Sequence, residues 1–104
     1  MEHYDVALSD LAEQDIRDVI RYIAVDLSAP QTAEVMLEAI EKALDSLSTQ
    51  PEIHPLVQDE VLALAGYRKL IIKNYIAFYT VDTKGTSVNV IRVLYSRRDW
   101  QHII

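Results

Sequence analysis

The stretch from Tyr67 to Ser96, YRKLIIKNYIAFYTVDTKGTSVNVIRVLYS, decides the fold. It is dominated by β-branched and aromatic residues, which fit a pleated, half-buried surface. Two polar breaks divide it into YRKLIIK (67–73), YIAFYTV (75–81) and SVNVIRVLYS (87–96), each read as a strand. Lys73-Asn74 predicts a tight turn. Asp82-Thr83-Lys84-Gly85-Thr86 predicts a hairpin loop, with Gly85 available for positive φ. The last strand has few polar interruptions, as expected of a strand that lies centrally or is covered on both faces. Three sequential strands joined by hairpins give an antiparallel sheet.

Upstream, HYDVAL (3–8) alternates loosely and reads as a first strand. Ser9 or Asp10 then supplies a helix N-cap, and with Asp10 as the cap Glu13 would complete a capping box. Ala12, Ile16, Val19, Ile20, Ile23 and Leu27 form one apolar stripe, with Asp15, Arg17, Asp18 and Arg21 largely on the other face. DLSAPQ (26–31) breaks this helix; Ser28 can cap the next one and Pro30 suits its first turn. Ala33, Met36, Leu37, Ile40, Ala43, Leu44 and Leu47 make the second stripe, which ends before Pro51. So short a connection predicts an antiparallel helical hairpin. Residues 51–66 carry two prolines and read as a loop with room for a short helical turn. The order is β-α-α-β-β-β and the class α+β. The expected arrangement is an antiparallel sheet with the N-terminal helical hairpin packed on one face and the other face open and concave.

The chain has 104 residues and half are hydrophobic, which suits one domain over 1–104 and excludes a disordered chain. It has no cysteine, so disulfides, zinc–thiolate sites and thiol nucleophiles are excluded. No run is long and apolar enough to span a membrane, and no basic region followed by an apolar run marks a signal peptide. A cytoplasmic location is expected. Charge is uneven. Residues 1–66 carry three basic and fourteen acidic side chains; residues 67–104 carry seven basic and two acidic, within a net charge of −6. Such asymmetry suits a basic face for phosphates or an acidic partner, unless the two halves neutralise each other within the fold.

The order of elements resembles the RelE/ParE family of bacterial toxins from type II toxin–antitoxin (plasmid-stabilisation) modules. The resemblance rests on Leu8-Ser9 leading into AEQDIRDVIRYIA, on Leu47 and Pro51 closing the second helix, and on YRKL (67–70), NYIAFYTVD (74–82) and VIRVLYSRRDW (90–100). It covers nearly the whole chain and is specific for the superfamily, not for a subfamily. It implies a growth-inhibiting toxin neutralised by a cognate antitoxin protein encoded beside it. RelE-like members cut mRNA on the ribosome; ParE-like members poison DNA gyrase without being nucleases. Neither activity implies a metal, a cofactor or a membrane partner.

RNA cleavage of the RelE kind needs a base for the 2′-hydroxyl, a cation on the phosphate, donors for the developing charge and an acid for the leaving oxygen. By the resemblance, Arg68 in YRKL and Arg98 in SRRD stand at basic positions of the nucleases and are expected to share one edge. His102, with a reference pKa of about 6.5, is the candidate acid or base. Lys69, Lys73, Tyr95, Arg97 and Trp100 are candidate RNA or partner contacts, the aromatics by stacking. The bland reading of each is a strand or terminal cation in solvent, an exposed histidine, or an aromatic in the core. Three departures stand against a nuclease. Ile76 occupies the position of an arginine, Leu70 falls near that of a lysine, and a tyrosine after the terminal basic residues has no counterpart in Gln101-His102-Ile103-Ile104. Ribosome-dependent mRNA cleavage is therefore the first expectation. Gyrase inhibition, or an attenuated member that retains only antitoxin binding, is the alternative.

Overall fold

In a computed structural model, residues 3–104 are described. Strand β1 (Asp5–Leu8) leads into helix α1 (Asp10–Arg21), which continues as a π-helical turn (Tyr22–Asp26). Helix α2 (Pro30–Ser46), the short helix α3 (Glu60–Leu64) and strands β2 (Arg68–Ile72), β3 (Tyr75–Asp82) and β4 (Ser87–Tyr95) follow, ending in a 3-10 turn (Trp100–His102). The sheet order is β1-β4-β3-β2, so β4 is central, as its apolar run predicts. The three hairpin-linked strands are antiparallel and β1 joins β4 in parallel, which makes the α+β sheet mixed.

Ser9, not Asp10, caps α1. Its Oγ accepts from the Ala12 N–H at 3.0 Å and donates to the Ile91 carbonyl at 2.7 Å, tying the helix start to β4. Ser28 does not cap α2. It takes a left-handed φ of 50° instead, the N-cap is Ala29, and Pro30 holds the first turn. Gly85 has no positive φ; that falls to Thr86 at 48°. A Cβ at 85 would lie 2.7 Å from Asp82 Oδ2 and would displace the carboxylate that accepts from the Lys84 and Gly85 N–H groups.

The main core lies between the helices and the sheet, with Ile23, Met36, Ile40 and Leu44 against Leu70, Ile72, Tyr79, Val90 and Val93. Val90 and Val93 both face the helices, although strict alternation would put residues three apart on opposite faces. A β-bulge reconciles them, since the register steps from Phe78↔Arg92 to Tyr79↔Val90 and leaves Ile91 as the extra residue. The other face of the sheet is not open. Val57, Ile76, Phe78 and Leu94 form a second core beneath Leu62, Ala63 and Tyr67 on one side and Trp100, Ile103 and Ile104 on the other. Once the helices cover one face, an uncovered Phe78 would leave a large aromatic in water, and the loop and C-terminal tail bury it completely.

Candidate functional site

The predicted cations take separate places. Arg68 opens β2 opposite Tyr79, whereas Arg98 lies three residues beyond Tyr95, which pairs with Tyr75. Four β3 residues, about 13 Å, separate the two positions along the sheet. Arg68 is also engaged. Its Nη1 donates to the His54 carbonyl at 2.7 Å and the Glu52 carbonyl at 3.3 Å, and Nη2 lies 3.9 Å from the Glu52 carboxylate. It clamps the 51–57 loop, as does Tyr79, whose hydroxyl donates to the Pro51 carbonyl at 2.6 Å. Burial, with Glu52 nearby, pushes the Tyr79 hydroxyl up to about 12 against the opposing pull of Arg68. His54 sits edge-on to the Tyr79 ring, and burial, then the Arg68 charge, lower its pKa.

Arg92, a further basic residue of the C-terminal third, is neutralised. Its Nε and Nη2 donate to Asp15 Oδ2 and Oδ1 at 2.7 and 2.8 Å. That hydrogen-bonded carboxylate holds the guanidinium in its charged form and raises its pKa. Asp15 Oδ2 also accepts from the Val93 N–H at 2.9 Å. Since β1 ends opposite Val90, Asp15 supplies the acceptor that a longer neighbouring strand would otherwise offer.

What remains is a basic tip. The Lys73-Asn74 turn meets the end of β4 through the Ser96 N–H, which donates to the Asn74 carbonyl at 2.9 Å. This brings Lys73 to the end of the sheet where Arg97 and Arg98 follow; all three are exposed, and none makes a salt bridge among the described residues. Lys69 is half-buried opposite Phe78, away from that tip. His102 is exposed and its Nδ1 lies 2.5 Å from Asp99 Oδ2, a pair local to the tail. Trp100 belongs to the second core, its ring 4.8 Å from that of Phe78. The structure thus gathers Lys73, Arg97 and Arg98, and it does not gather Arg68, Arg98 and His102 into one catalytic cluster.

Beside the basic tip runs a groove of about 860 Å³ between the helical hairpin and the ends of β3 and β4. The π-helical turn supplies Tyr22 and Ile23, with Leu27 just beyond it; Met36 comes from α2, Tyr75 and Tyr95 from the strands, and Asp18 of α1 and Arg98 add charge to the lining. Tyr75 and Tyr95 meet edge to face at 5.8 Å. Burial, then the neighbouring phenols Tyr22 and Tyr95, raise the Tyr75 pKa, so this ring acts here as neutral, amphipathic surface. Tyr22 and Leu27 are about half exposed, unusual for large apolar side chains that lie next to one another. Of these residues only Tyr95 and Arg98 were expected to be functional. Leu27 offered a signal, as the last residue of the first helical stripe, lying just past the point where the helix breaks.

A helical hairpin on a four-stranded mixed sheet, with a groove between them that Arg98 helps to line, defines a small α+β domain. Residues 6–100 match the family described as the ParE toxin of the type II toxin-antitoxin system, parDE. The chain belongs to that family, within the RelE/ParE superfamily that the sequence resembles. No curated protein matches it in sequence. Among solved structures, the chromosomal ParDE TA system from P. aeruginosa superposes with TM-score 0.72 at 18% identity, covering 89% of this chain and 96% of that one. The toxin-antitoxin complex RelBE2 from Mycobacterium tuberculosis gives 0.62 at 20%, covering 89% and 98%. The archaeal RelE-RelB complex from Pyrococcus horikoshii OT3 gives 0.60 at 13%, covering 92% and 98%. At these identities the structures attest the fold.

Proposed function

We propose that this type II toxin inhibits growth by binding a protein target, DNA gyrase being the first candidate, and not by cutting mRNA. The observation that carries the reading is the second core. Ile76, where a RelE-like nuclease has an arginine, is packed with Phe78 and Leu94 beneath Trp100, Ile103 and Ile104. An apolar, covered sheet face offers no donors for a developing phosphorane charge. Arg68, the other expected phosphate contact, is committed to loop carbonyls.

The antitoxin contact belongs to the groove. Its apolar floor and half-exposed Tyr22 and Leu27 suit the apolar stripe of an amphipathic segment, and Arg98 suits an acidic residue at one end of it. The exposed Lys73, Arg97 and Arg98, with the His102–Asp99 pair nearby in sequence, favour RNA cleavage as the second reading.

Inducible expression with parallel measurement of DNA supercoiling, translation and transcript integrity separates the two. The proposal expects supercoiling to fail first, with transcripts intact and His102→Ala, at an exposed position, as toxic as wild type. Cleaved transcripts with unaffected gyrase would establish the second reading in its place.

A further inference from the structure

We infer that the C-terminal tail, Trp100–Ile104, is a displaceable latch over the second face of the sheet. The inference is independent of which target the toxin binds. Its first support is how the tail is tied. The last hydrogen bond to an element distant in sequence is that from the Ser96 N–H to Asn74. Beyond it, among the described residues, the Arg98, Trp100, His102, Ile103 and Ile104 N–H groups all donate to carbonyls four residues back or fewer. The His102–Asp99 pair is equally local. No backbone rung binds the tail to β3 or β4.

What holds it is apolar contact alone. The Trp100 ring rests on Phe78, and Ile103 and Ile104 are half-buried against the same cluster. Three partly buried side chains are set against the conformational freedom of five residues, two terms of similar size. The segment between, Arg97-Arg98-Asp99, is exposed, and its one backbone bond to a strand is the Arg98 N–H to the Tyr95 carbonyl three residues back. By contrast the other cover of this face, the 51–66 segment, is fastened by Arg68, Tyr79 and backbone bonds from Val57 and Lys69. The two covers therefore differ in kind, one bolted and one only pressed in place.

Opening would uncover Phe78, Ile76 and Leu94. These would join Ile71, which pairs with Ile76 on the same face and is already exposed, in a wider apolar surface. The tail thus sets how much apolar surface the sheet presents.

Trp100 is the sole tryptophan, so its emission reports the tail directly. In a urea titration of the full chain, Trp100 emission should shift to the red at a midpoint about 1 M below the loss of far-UV circular dichroism. Coincident midpoints would overturn the inference. A chain ending at Asp99 should keep its far-UV spectrum while an apolar-surface dye brightens several-fold or the chain self-associates, both reporting the uncovered face. An unfolded spectrum would make the tail an integral part of the core, and a folded, monomeric chain with no dye response would mean that it shields nothing; either overturns the latch.

Discussion

Asp15 shows how much one side chain can settle. Most of the polar face of α1 is solvated, but Asp15, expected there with Arg17, Asp18 and Arg21, faces the sheet instead, because it lies three residues after Ala12 and four before Val19 within the apolar stripe. There it neutralises Arg92 and satisfies Val93. Asp15→Ala should cost about 2–4 kcal/mol in urea unfolding, because it strands a largely buried guanidinium and an edge N–H together. Replacing both partners, Asp15→Leu with Arg92→Leu, should recover a good part of that loss. His54 gives a pH dependence whose sign is fixed by its surroundings. Burial and Arg68 lower its folded pKa below 6.5, so the unfolded chain binds the proton more readily. Its contribution to stability is whole above that value and is lost as pH falls through and below it. His54→Gln should therefore flatten the decline in thermal midpoint on going from pH 7 to mildly acid buffer, relative to wild type.

At the scale of elements, the strands and helices were legible because each carries its own period. The run from Tyr67 to Ser96 has β-branched composition and two clear breaks, and both helices have three-and-four stripes. The register of the first hairpin was legible too. Counting back from Lys73-Asn74 sets Arg68 opposite Tyr79, four residues along β3 from the turn end where β4 finishes, which already parts Arg68 from Arg98. Across the second hairpin the count from Asp82 opposite Ser87 puts Tyr75 opposite Leu94, one residue short of the observed Tyr95. The bulge at Ile91 was not legible, because alternation in a central strand apolar on both faces leaves no polar residue to mark the slip. Nor was the cover on the second face, which depends on where a loop and a tail settle and not on any local period. Ser9→Ala removes a helix cap and a bond to β4 at once, and should cost about 1–2 kcal/mol by chemical denaturation. Tyr79→Phe, which frees Pro51, should cost about 1–2 kcal/mol and speed amide exchange in the 51–57 loop more than in β3.

For the whole molecule, charge and apolar surface are distributed in a way composition alone only hints at. The acidic balance of the first two-thirds sits largely on the helices, while Lys73, Arg97 and Arg98 collect at one tip beside the groove, with Lys84 at the opposite end of the sheet. A segment seated in that groove would touch both. Leu27→Asp, at a half-exposed position, should change unfolding stability by less than about 0.5 kcal/mol. In a calorimetric titration it should weaken cognate antitoxin binding at least about tenfold, or about 1.4 kcal/mol. Unchanged affinity would move the antitoxin contact elsewhere.

The carboxylate at the margin of β4 has a consequence for how the chain behaves in a crowd. A sheet recruits other chains through the open rungs of its outermost strands. Here one margin ends in a four-residue β1, with Ser9 and Asp15 occupying the rungs past it, and on the other margin the Pro55 carbonyl already takes the Lys69 N–H. Little backbone is left to template a copy of itself. For a chain that is half hydrophobic by composition, that arrangement disfavours strand-to-strand growth into fibrils.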